Sequence, residues 1–167
     1  MLEEAFIVGH IGFGLSAVIA GAVAMLAPKR RGRHPRAGVV YLGALSGVAA
    51  TAIVIVDFRP HTAFLLLPGG LAAAAAGLGY LARRVRWRGW LGHHIVAMAV
   101  SYIALLTAFY VDNGPRLPLW KLLPAISFWF LPAAIGTPIL LRALFHHVPP
   151  RRLSRDHLDR SRRTGEL

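Results

Sequence analysis

Five apolar stretches, each about as long as a bilayer is thick, leave this chain almost no choice of solvent. They run from Ala5 to Ala27, Gly38 to Val56, Ala63 to Ala82, Leu91 to Val111 and Leu122 to Phe145, and the first four contain no Asp, Glu, Lys or Arg. A helix rises ~1.5 Å per residue, so about 20 such residues cross ~30 Å of hydrocarbon. A water-soluble domain would interrupt runs of this length with charge. The sequence therefore predicts an all-α, polytopic membrane protein with five transmembrane helices. Its connections are short, which predicts that successive helices are antiparallel neighbours in one bundle.

The basic residues orient that bundle. The net charge of +12 would suggest a nucleic-acid partner in a soluble protein, but here the charge is spread by loop and not gathered in a patch. Lys29, Arg30, Arg31, Arg33 and Arg36 fill the first connection, and Arg83, Arg84, Arg86 and Arg88 the third. Arg142, Arg151, Arg152, Arg155, Arg160, Arg162 and Arg163 gather toward the carboxyl end. The other side holds Arg59, Arg116 and Lys121 against Glu3, Glu4, Asp57 and Asp112. The positive-inside bias then places the amino terminus outside and the carboxyl terminus in the cytoplasm of a multi-pass protein of the cell membrane. No nucleic-acid partner is expected; the bilayer and its anionic head groups are. The acidic start, Met1-Leu2-Glu3-Glu4, predicts a retained first span and no cleaved signal. Residues 1–148 form the expected transmembrane domain, and the Arg-rich segment 149–167 a basic cytoplasmic tail.

Small residues have to supply the helix contacts, because burying apolar side chains gains nothing against lipid. Gly43 and Gly47 form a GxxxG pair on the second span, which suits either internal packing or a membrane-protein partner. Gly14, Ala17 and Gly21 line one face of the first span. Pro124, Pro132 and Pro138 predict a bent fifth helix, since each removes a backbone donor.

Few residues can carry chemistry. The chain has no cysteine, which excludes disulfides, thiolate metal sites and covalent haem attachment. No carboxylate lies in mid-span, which argues against ion-coupled transport. Phosphate-binding glycine loops, the Gly-x-Ser-x-Gly elbow and His-Glu-x-x-His are all missing. Histidine remains, with eight in the chain. His10 lies about six residues into the first span, roughly 9 Å below its boundary. His61 follows Arg59-Pro60 and belongs to the same side. His34, His93, His94, His146 and His147 cluster at the other side. Two imidazoles from different helices suit a b-type haem, and also a bare metal ion, with His10 and His94 the expected metal ligands. Ordinary hydrogen bonds to a hydroxyl or a carbonyl would account for His10 and His94 equally well. His34, His146 and His147 sit in basic interfacial segments, where head-group contact is the plain alternative.

The run His10-x-x-Phe13-Gly14, then Ala17-x-x-x-Gly21-x-x-Ala24-Met25, the loop Gly32-Arg33-His34-Pro35-Arg36-Ala37-Gly38 with Tyr41, and Trp90-x-x-His93-His94-x-x-x-Met98 with Ser101-Tyr102 resembles an uncharacterised bacterial family of predicted multi-helix integral membrane proteins, a domain of unknown function. Pro35 stands here between His34 and Arg36, where the family places His beside Arg. The likeness covers about two thirds of the chain and implies a helical bundle with functional weight on His10, His34 and His94.

The function expected from these residues is that of a membrane redox subunit binding haem b, through His10 with His61, through His34 with His94, or through one of these pairs. A non-catalytic accessory subunit, docking a partner helix on Gly43 and Gly47, is the alternative from another class. A histidine-metal membrane hydrolase is a third.

Overall fold

The computed structural model describes residues 1–28, 32–118, 120 and 122–148. The basic loop at 29–31 and the tail expected at 149–167 lie outside them. Five α-helices follow one another: α1 (Leu2–Leu26), α2 (Arg33–Phe58), α3 (Leu66–Val85), α4 (Trp90–Asn113) and α5 (Ser127–His147), with a short 3-10 segment, Pro60–Leu65, leading into α3. There is no strand among the described residues. All five helices are long and apolar enough to cross a membrane.

Local chemistry explains the boundaries. Pro28 cannot continue α1. Gly32 caps α2 at φ 125°, a backbone conformation other residues rarely adopt, and Pro35 sits in the first turn of α2, where its missing N–H has no helical partner to lose. Gly89 at φ 78° starts α4 in the same way. α5 begins at Ser127, later than the apolar run at Leu122, because Pro124 interrupts the approach and only turn bonds such as Ser127 N–H to the Pro124 carbonyl form there. From Ser127 the helix runs through Pro132 and Pro138 without interruption.

Burial is inverted relative to a soluble protein. The core is made of small residues, Ala17, Ala20, Ala44, Ala72, Ala76 and Ala104, around Tyr41, Leu45 and Leu105. Large apolar side chains such as Ile11, Leu67, Phe130 and Ile135 are exposed. Lipid is as apolar as leucine, so large side chains gain nothing by turning inward, whereas small ones let backbones meet. A side-chain carbon on Gly47 would lie 2.6 Å from the Phe13 ring, which shows how closely α1 and α2 approach. Gly79 brings α3 onto Met98 of α4, and Gly114 admits the Phe128 ring at the start of α5.

Two tight antiparallel hairpins result, α1 with α2 and α3 with α4, and α5 packs on α4. Glu3 meets Arg59 at 2.7 Å at one end of the first hairpin, while His34 meets Ala24 at the other. The hairpins join through polar bonds on small-residue surfaces. The Tyr41 hydroxyl of α2 bonds the Ser101 hydroxyl of α4 at 2.7 Å, both groups fully buried. The Tyr102 hydroxyl donates to the Val18 carbonyl of α1 at 3.0 Å.

Candidate functional site

α2 and α4 both start from the end of the bundle that carries Gly32 and Gly89, and they run the same way. His34 and His94 open them, and Tyr41 and Ser101 each follow seven residues later, two turns on, so both pairs fall in register on the facing sides. The His34 and His94 rings stand 6.3 Å apart between centres and close to perpendicular, at 85°. About 10 Å deeper, at ~1.5 Å per residue, the Tyr41–Ser101 bond closes the interface.

Each ring is held from the other hairpin member. His34 Nδ1 is 2.8 Å from the Ala24 carbonyl. A carbonyl only accepts, so Nδ1 carries a proton and donates it to this bond. The helical donor to that carbonyl would be residue 28, a proline with no N–H, so His34 from α2 takes the place of the missing backbone bond. His94 Nδ1 donates likewise to the Gly79 carbonyl of α3 at 2.8 Å. The space left by the missing side chain at Gly79 is taken by the Met98 side chain of α4. An imidazole whose Nδ1–H is tied to a backbone carbonyl has its tautomer and orientation fixed, as in histidines that ligate metals through Nε2.

His10 is anchored differently. Its Nδ1 lies 2.8 Å from the Thr51 hydroxyl oxygen of α2. That hydroxyl donates its single hydrogen to the Gly47 or Val48 carbonyl, at 2.7 and 3.1 Å, so it accepts from His10. The bond braces the first hairpin at the end opposite His34. His61 lies in the 3-10 segment, exposed, and makes no ring contact with His10 among the described residues. Of the two expected pairings, the structure brings together His34 with His94 and leaves His10 with Thr51. His146 and His147 meet edge to face, with ring centres 4.7 Å apart, at the exposed end of α5.

Met98, Ser101 and Tyr102, which follow His94 along α4, divide among three neighbours. Met98 presses its sulfur against Gly79 of α3, Ser101 meets α2 and Tyr102 reaches α1. Gly43 and Gly47 also separate: Gly47 packs on Phe13, while a side-chain carbon on Gly43 would meet open space. No group of three or more His, Asp or Glu residues converges as a metal cage among the described residues.

Sequence reasoning missed the partners and not the histidines. Thr51, Gly79 and Ala24 were unremarked as acceptors, although Pro28, four residues after Ala24, is a signal that this carbonyl needs an outside donor. The equal seven-residue steps from His34 to Tyr41 and from His94 to Ser101 are a second legible signal. No protein-family model, no curated protein and no solved structure matches the chain.

Proposed function

We propose that this protein is a multi-pass subunit of the cell membrane, amino terminus outside and carboxyl terminus cytoplasmic, that carries single electrons through a b-type haem held by His34 and His94. The observation that carries this reading is the convergence of these two rings from separate hairpins. With ring centres 6.3 Å apart, His34 and His94 are the two residues that would hold such a group. Nδ1 donation to the Ala24 and Gly79 carbonyls fixes the orientation of both rings, with Nε2 the atom that would ligate. When bound, haem iron supplies one-electron chemistry without needing a carboxylate or a thiol. The chain's own part would be to hold the two rings in place, half-buried at the starts of α2 and α4.

The test is a reduced-minus-oxidised absorbance spectrum of protein purified from haem-replete cells. Sharp b-type bands are expected, abolished by either His34→Ala or His94→Ala and retained in His61→Ala. A colourless preparation overturns the haem reading. A bare transition-metal ion on the same pair is the second reading, favoured because neither of the two principal grooves, of about 560 and 430 Å³, is lined by His34 or His94 and an ion needs no slot for a macrocycle. It requires stoichiometric metal by elemental analysis, no haem bands, and loss of the metal in the same two variants.

A further inference from the structure

The larger groove lies along the seam of α3 and α4, with Leu144 of α5 closing one side. Its volume is about 560 Å³, and its floor and walls are apolar: Leu71, Ala74, Leu78, Ala97 and Val100. From Gly92 to Val100 it follows α4 for roughly 12 Å, the length of about ten methylenes. Trp87, Gly89 and His93 form its mouth.

The mouth is the most cationic corner of the described residues. Arg86 and Arg88 flank Trp87 in the chain and are exposed, as are Arg83 and Arg84 in the last turn of α3, and no carboxylate lies between Asp57 and Asp112 in the chain. Arg86 takes a left-handed conformation, φ 55°, that turns the chain out of α3, and its guanidinium sits over the Trp90 ring at 5.5 Å. The indole N–H of Trp87 is fixed in its ring plane and points at His93 Nδ1 at 3.3 Å, and His93 Nδ1 also lies 2.9 Å from the Gly89 carbonyl, so Trp87 is held at the mouth beside the arginines.

We propose that this groove is a binding site for one acidic phospholipid, an acyl chain lying along the seam and the phosphodiester at the Arg86–Trp87–Arg88 corner. Charge complementarity selects the occupant. A zwitterionic lipid brings its own cation to a corner already rich in arginine, while an acidic head group offers acceptors to the exposed guanidinium groups. The proposal rests on the helices lying in a bilayer and not on the His34–His94 centre.

The experiment is native mass spectrometry of the full chain released from nanodiscs containing equal parts phosphatidylglycerol and phosphatidylcholine of matched acyl chains. One retained phosphatidylglycerol per protein is expected, preferred over phosphatidylcholine by about fivefold for each arginine that contacts it. The double variant Arg86→Gln with Arg88→Gln should lose the preference while still retaining a lipid. Ala74→Trp and Leu71→Trp, both at exposed positions, should block the groove and remove the retained lipid with every arginine in place. Circular dichroism on each variant confirms that the helices are intact. The proposal is overturned if the wild type shows no preference between the two lipids, if the preference survives the arginine double variant, or if both tryptophan variants keep the lipid.

Discussion

A glycine-to-alanine change at position 21 should destabilise this protein, whereas the same change at position 79 should cost almost nothing. Both glycines sit at helix seams, and in both a new methyl group would intrude on a neighbour. What differs is whether that neighbour can give way. At Gly21 the methyl meets the ring edge of Tyr102, with Cδ2 at 2.5 Å, and lies 3.3 Å from the Tyr41 ring. The Tyr102 ring would have to retreat by about 1 Å to reach ordinary carbon contact. Its hydroxyl bond to the Val18 carbonyl, now 3.0 Å, would open to about 4 Å, beyond hydrogen-bonding range. Overpacking costs roughly 1–3 kcal/mol, and a lost bond between membrane helices about 0.6 kcal/mol on average. The better helix propensity of alanine returns about 1 kcal/mol, which leaves a net loss of roughly 1–3 kcal/mol. At Gly79 the methyl meets the Met98 sulfur at 2.8 Å and its Cγ at 3.0 Å. A thioether on three rotatable bonds swings away for about 0.5–1.5 kcal/mol, which the propensity gain cancels. The two variants should differ by about 2 kcal/mol, close to thirtyfold in the unfolding equilibrium. Reversible unfolding in mixed micelles, titrated with dodecyl sulfate and followed by circular dichroism, measures the gap. Equal stability of the two variants would refute the reasoning. So would an undiminished Gly21→Ala cost in a Tyr102→Phe background, where the ring is no longer pinned.

The buried Tyr41–Ser101 pair should show a coupling of about 0.6–1.7 kcal/mol in a double-mutant cycle of Tyr41→Phe and Ser101→Ala, the range measured for hydrogen bonds between membrane helices; additive single effects would show that the bond does not join the hairpins. Thr51→Val removes the oxygen that accepts from His10, and amide hydrogen exchange near residue 10 should rise while exchange near His34 stays unchanged. Protection near residue 10 unchanged from the wild type would mean that the His10 bond does not brace the hairpin. Arg59→Ala should shift stability by less than about 1 kcal/mol, because the ion pair with Glu3 is roughly half exposed at both side chains; a loss of several kcal/mol would show the pair to be shielded from water.

Much of this molecule was legible in its residues because the bilayer imposes a one-dimensional rule. A backbone in hydrocarbon must satisfy its own hydrogen bonds, so twenty apolar residues in a row mean a helix wherever the chain goes afterwards. That rule yields the five helices and the sorting of histidines between the two ends. It also explains why the first residues of α5 were misjudged: hydropathy counts Leu122 and Leu123 as span, while Pro124 withholds the helix until Ser127. Periodicity further placed His94, Met98 and Ser101 on one side of α4, since a single helix fixes its own faces.

Which neighbour each face meets depends on rotation and depth, and these are set between helices. The rotation of α4 against α3 decides which carbonyl His94 reaches. Gly21 decides where Tyr102 lies, and Pro28 leaves to His34 a bond that the backbone would otherwise make. The pairing of His34 with His94, and the separation of His10 from His61, were therefore fixed by tertiary structure. Hydropathy is a property of one segment and can be read along a string. The distance between two imidazoles depends on the packing of four helices at once, which no single segment carries.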